Sequence, residues 1–151
     1  MEISGHVRVY SYDGTRWDKL GEDIQEDGVS DRAGYVSISS DGKIIAIGAP
    51  QNDGNGVTNS GHVRVFSYYE KEWSQMGVDI QGENANDFSG YAVSISSDGM
   101  IVAVGARDND RNGENSGNVR VYSYTEGQWN QMRDKINAER SGDLSGFAVS
   151  I

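Results

Sequence analysis

"SGHVRVYSY" begins at Ser4, "SGHVRVFSY" at Ser60 and "SGNVRVYSY" at Ser116, so one nine-residue phrase returns twice at a spacing of 56 residues. Trp17, Trp73 and Trp129 keep the same step, and so do Ile24, Ile80 and Ile136. A repeat of this length is one supersecondary unit that covers its apolar faces only by stacking on its neighbours. The phrase itself alternates. Val7, Val9 and Ser11 face one way and His6, Arg8, Tyr10 and Tyr12 the other, the period of a strand.

Four strands are predicted in each unit. "GYAVSIS" (Gly90–Ser96) turns through Ser97-Asp98-Gly99 into "MIVAVGA" (Met100–Ala106). The polar loop "RDNDRNGENSG" leads to "NVRVYSY" (Asn118–Tyr124). A turn at Glu126-Gly127 leads to a fourth strand across "WNQMRDKI" (Trp129–Ile136). Asp-Gly between apolar runs marks a hairpin, because its turn residues tolerate positive φ. Asp13-Gly14 and Asp41-Gly42 serve in the other copies. "IIAIGA" (Ile44–Ala49) and "IVAVGA" are apolar at consecutive positions, as in strands covered on both faces.

The composition agrees. The chain has 20 glycines, a single proline (Pro50) and no cysteine among 151 residues. That suits many short strands joined by tight turns, and it excludes disulfides, thiol catalysis and cysteine–zinc sites. A net charge of −10 disfavours nucleic acid as a partner. The apolar runs are far shorter than the ~20 residues of a membrane-spanning helix, so no membrane insertion is expected. No secretory signal precedes "MEISGHVRVY".

Repeated four-stranded antiparallel units of this length are the signature of an all-β fold of β-propeller blades. The expected boundaries are 1–30 for the third and fourth strands of a partial blade, 31–86 and 87–142 for two blades, and 143–151 for the first strand of a further one. At 56 residues per unit, 151 residues hold about 2.7 repeats, a partial propeller, whereas rings close with about four to eight blades. Two explanations stay open: a piece of a longer repeat array, or self-association as a homo-oligomer, trimer or dimer.

Gly34-Tyr35, Gly90-Tyr91 and Gly146-Phe147, with Gly48-Ala49-Pro50 and Gly105-Ala106-Arg107, resemble the FG-GAP repeats of integrin α-subunits and microbial surface proteins. The resemblance implies a propeller with a binding role at the cell surface or outside the cell. Many FG-GAP repeats carry an Asp-x-Asp-x-Asp-Gly calcium loop between the first two strands. Here only Ser40-Asp41-Gly42 or Ser97-Asp98-Gly99 stands there, too short to wrap a cation.

The loop between strands two and three is the better metal candidate. Asn52-Asp53-Gly54-Asn55-Gly56 aligns with Asn109-Asp110-Arg111-Asn112-Gly113, and Asp108-x-Asp110-x-Asn112-Gly113 matches the first half of an EF-hand loop. Calcium takes six to eight oxygens, and Asp53, Asn55, Asp108, Asp110 and Asn112 could supply several. No glutamate stands at the twelfth position, where Val119 is found, and Asp and Asn are also ordinary turn residues. No cofactor is required; calcium is the candidate.

Glu83…Asp87, Glu139…Asp143 and Asp27…Asp31 are spaced carboxylates that could act as acid and base. Their recurrence in every copy favours backbone bonding instead. His6 and His62 are equivalent, with Asn118 in their place in the third copy, which suits a strand face rather than a catalytic base. The three tryptophans read as packing between units ahead of a sugar-stacking surface. The expectation is a non-enzymatic module that binds protein or glycan. The alternative is a polysaccharide hydrolase or lyase with carboxylates near the propeller channel.

Overall fold

The computed structural model describes residues 5–25 and 32–151; Ser4, Asp27 and Asp31 lie outside them. The chain is all-β, with antiparallel sheets. The first unit holds β1 (His6–Val7), β2 (Tyr10–Tyr12), β3 (Trp17–Lys19) and β4 (Ile24–Gln25), with β2 on β3 and β1 on β4. Sheet one is β5 (Tyr35–Ile38), β6 (Ile44–Ala49), β7 (His62–Tyr69), β8 (Glu72–Gln75) and β9 (Ile80–Gln81). Sheet two repeats it as β10 (Ala92–Ile95), β11 (Ile101–Ala106), β12 (Asn118–Thr125), β13 (Gln128–Gln131) and β14 (Ile136–Asn137). In each, the first four strands pair in sequence and the fifth returns to the third. Among the described residues no helix is long and apolar enough to cross a membrane.

The hairpins form where Asp-Gly predicts them. The Asp41 carboxylate accepts the Lys43 amide at 3.0 Å and the Ser39 hydroxyl at 2.7 Å, and Asp98 repeats this with Met100 and Ser96. Such Asx bonds supply locally what the two-residue turn leaves without a ladder partner.

The fourth strand departs from expectation. The predicted single strand Trp129–Ile136 is two short ones: Trp129 opposes Tyr124, but Ile136 opposes Val119, out of step by two residues. The same break separates β8 from β9, and β3 from β4. Two extra residues form a bulge, Leu20-Gly21, Met76-Gly77 and Met132-Arg133, whose first amide still bonds the third strand. The bulge turns a carbonyl out of the sheet. The Trp73 indole N–H donates to the Leu20 carbonyl and the Trp129 indole N–H to the Met76 carbonyl, each at 2.8 Å. The outer strand breaks in order to hold the next unit.

Alternation decides which unit each face meets. Ile45 and Ile47 pack with Val9 and Ile24 of the first unit, joined by Phe66 and Trp73. Ala46, Val63, Val65 and Ile80 pack with Ile95, Val102, Val104 and Tyr122 of sheet two. Sheet one is therefore covered on both faces, as its consecutive apolar residues require. Each fully covered Val or Ile contributes about 1.5–3 kcal/mol relative to exposure.

The expected first strand over Gly146–Ile151 is not a strand. Ser145 makes a parallel bridge to Gly117, and the residues that follow have no ladder. In sheets one and two the first strand pairs with the second strand that follows it.

Candidate functional site

The loops between the second and third strands gather beside the segments that join one sheet to the next. Asp53 uses a carboxylate oxygen to accept the Asn59 amide at 2.8 Å, closing its loop across six residues. Asp110 does the same for Asn115 at 2.7 Å. Asn55 sits exposed at φ 54° in the 3-10 turn Gly54–Gly56. Asn112 donates its side-chain amide to the Ala138 carbonyl at 2.9 Å. Asp108 is paired with Arg107 at 3.2 Å. The candidate metal residues are thus brought to one end of the sheets, but Asp53 and Asp110 close their own loops, Asp108 is held by Arg107 and Asn112 by Ala138. Among the described residues no group of three or more His, Asp or Glu side chains could hold a metal ion.

The spaced carboxylates separate. Asp87 is buried and accepts the Asn84 amide at 3.1 Å and the Asn109 side-chain amide at 2.9 Å, pinning the joint between sheets to the second loop. Glu83 instead forms an ion pair with Lys135. Asp143 accepts the Arg140 amide at 2.9 Å, in the manner of Asp87. His62 and Asn118 occupy equivalent buried positions at the starts of β7 and β12.

Several carboxylates are held away from their ordinary range. Burial pushes the Asp79 carboxyl up, but hydrogen bonds from Arg64 and Gln75 and the Arg64 charge prevail and hold it below the usual carboxylate range. Asp41 and Asp98 are also held low, chiefly by the hydroxyls of Ser39 and Ser96.

One surface was not foreseen. Tyr35, Tyr91 and Phe147 form a row along the first-strand side, with ring centroids 4.9 and 5.4 Å apart. The Arg107 guanidinium lies 3.9 Å above the Tyr91 ring, a cation–π contact. The row borders a concavity of about 400 Å³. The signal was present in the Gly-Tyr and Gly-Phe steps, but the sequence does not say that successive rings touch.

The same steps show why glycine is needed where the units join. A Cβ on Gly48, at the end of β6, would stand 2.1 Å from the Gly90 carbonyl oxygen, and a Cβ on Gly105 2.1 Å from that of Gly146. No side chain fits there, so the second strand of one sheet and the joint of the next meet glycine to glycine. Residues 81–122 match the FG-GAP repeat. The matched stretch contains Gly90-Tyr91 and Gly105-Ala106-Arg107, two of the five steps that carry the resemblance. Among curated proteins there is no significant match. A crystal structure of a provisionally assigned 6-phosphogluconolactonase from Bacteroides fragilis NCTC 9343 is similar in fold, with a TM-score of 0.62 at 15% identity. The similarity covers 95% of this chain and 36% of that one, so the chain spans about a third of that protein's length.

Proposed function

We propose that the chain is a non-enzymatic binding and scaffold module, a run of β-propeller blades that presents loops and an aromatic row to a protein or glycan ligand. The observation carrying this reading is that the polar residues do the same work twice. Asp53 and Asp110 close loops, Asp41 and Asp98 close hairpins, and Trp73 and Trp129 fasten units. A catalytic centre needs distinct groups that meet once, whereas a recognition surface is well served by a rigid repeat with varied polar loops. The stack of sheets supports blades, and a ring of them would take further repeats, from a longer protein or from other copies. An extracellular or cell-surface setting follows from the FG-GAP resemblance. The fold likeness to a lactonase carries no activity to this chain.

A glycan array and a hydrolysis screen on the same sample test the reading. Stable capture without turnover, weakened by Tyr91→Ala or Arg107→Ala, is expected. Turnover without stable capture moves the assignment to the polysaccharide hydrolase.

A further inference from the structure

Asn-Gly occurs twice in the chain, as Asn55-Gly56 and Asn112-Gly113, at equivalent places in the loops between the second and third strands. An asparagine side chain before glycine is open to attack by the next backbone amide, because the glycine carries no Cβ to shield its nitrogen. Local sequence therefore gives the two pairs the same chemistry. The fold separates them.

Asn112 is held twice. Its backbone amide donates to the Ser116 hydroxyl at 3.3 Å and its side-chain amide to the Ala138 carbonyl at 2.9 Å. The Ser116 hydroxyl in turn donates to the Asn109 carbonyl at 3.0 Å. Gly113 is hemmed in as well: a Cβ there would stand 2.9 Å from Ser141 Cβ. None of these ties recurs at Asn55. Ser60, the counterpart of Ser116, keeps its hydroxyl buried with no hydrogen-bond partner among the described residues. The exposed Asn55 side chain, at φ 54°, has none among them either. Around Gly56 a Cβ would meet open space. One extra residue accompanies the difference, since Val57-Thr58 stands where the second loop has Glu114 alone.

We propose that Asn55 is a site of spontaneous deamidation, selected over Asn112 by the folded structure. The Gly56 amide nitrogen attacks Asn55 Cγ. The new N–Cγ bond forms, the Cγ–Nδ2 bond breaks, and ammonia leaves with the proton that the amide nitrogen loses. A cyclic succinimide remains. Water then opens the ring at either carbonyl. Cleavage at Cγ gives aspartate; cleavage at the backbone carbonyl gives isoaspartate, with the chain rerouted through the former side chain. Either product adds one negative charge to the −10 of the sequence.

The brake on this reaction is the hydrogen bond from the Gly56 amide to the Asp53 carbonyl, 2.9 Å long, which must open first. The 3-10 turn Gly54–Gly56 buries no residue, so its opening belongs to the low-cost end of local unfolding. The matching bond from Gly113 to Asp110, at 3.2 Å, is backed by both ties of Asn112. The product also has a place to act. Asn55 borders the same concavity as Gln75, Asp79 and Gln81, so the new carboxylate joins the surface that already carries Asp79. Isoaspartate lengthens the backbone of the loop that Asp53 closes.

Incubation of the 151-residue chain at mildly alkaline pH, followed by ion-exchange separation and peptide mapping, tests this. An acidic form altered at Asn55 is expected, appearing about tenfold faster than alteration at Asn112, a difference of roughly 1.4 kcal/mol in barrier. In urea the two sites should react at similar rates, since only the fold distinguishes them. Asn55→Gln should remove the early acidic form. Asn55 surviving as long as Asn112 in the folded chain, a rate ratio unchanged by urea, or an early acidic form that persists in Asn55→Gln overturns the proposal.

Discussion

Sheet one and sheet two are written in nearly the same words, yet they treat a covered arginine in opposite ways. In sheet one, Arg64 and Asp79 form a two-pronged ion pair at 3.0 and 3.1 Å within the sheet. In sheet two the position of Asp79 is held by Lys135, and among the described residues no carboxylate pairs with Arg120. Arg120, buried, reaches back to the Gln81 carbonyl at 3.0 Å and the Ser89 hydroxyl at 2.8 Å. Lys135 reaches back to Glu83. Exchanging one carboxylate for an ammonium turns an internal pair into two ties between units. Equivalent positions are therefore not interchangeable: one sheet neutralises itself, and the other is held by its neighbour.

The comparison breaks most visibly at the glycine contacts. Gly48→Ala forces the Gly90 carbonyl away and is expected to cost about 3 kcal/mol or more in chemical denaturation. Gly105→Ala meets Gly146, whose segment lacks a ladder and can yield, so its cost should be clearly smaller. Equal losses would show that the two joints are equally rigid.

Asp79→Asn comes next. It strips the half-buried Arg64 of its anion and should cost about 2 kcal/mol. It should also flatten part of the acid dependence. Asp79 is held below the usual carboxylate range when folded. Its contribution is therefore complete above about pH 4, the unfolded value, and fades as pH falls through the lower folded one. Denaturation of the wild type and Asp79→Asn from neutral to acid pH measures this; curves that stay parallel would remove the ion pair from the account.

Arg120→Met tests the other sheet. A buried cation without a carboxylate gives up little when replaced by an apolar chain, while Ser89 and Gln81 each lose a donor, so about 1 kcal/mol is expected. A cost equal to that of Asp79→Asn would mean that both arginines are held alike. The smallest effect belongs to the loops. Asp53→Asn and Asp110→Asn should each cost under about 1 kcal/mol, and by similar amounts. Thermal melting should be indifferent to calcium and to chelator; a calcium-dependent rise abolished by Asp110→Asn would restore the cation site.

The strands were legible because their signals are local. The Asp41 and Asp98 turns bond their own neighbours, and the alternation that predicts the third strand needs only a period of two; it runs unbroken in β7 and β12, while in the first unit it is interrupted at Arg8-Val9. The broken fourth strand was not legible, because the bulge at Met76-Gly77 is explained by Trp129, 53 residues further along. The aromatic row and the divergence of Arg64 and Arg120 escaped for the same reason: each is settled between units, at distances in sequence that no local pattern spans. Repetition told which residues matter without telling which of them touch.

Sheet two is pinned to sheet one at both margins. On the outer side Trp129 holds the Met76 carbonyl, and on the other the Ile95 amide donates to the Ser37 hydroxyl at 3.0 Å; the Ile151 amide repeats the inner bond to Ser94 at 3.1 Å. Two fasteners so far apart leave little freedom to pivot, so the tilt between these two layers is a fixed quantity written into two side chains, Trp129 and Ser37. Shortening or removing either clasp would change the curvature of the whole stack, while leaving every layer intact.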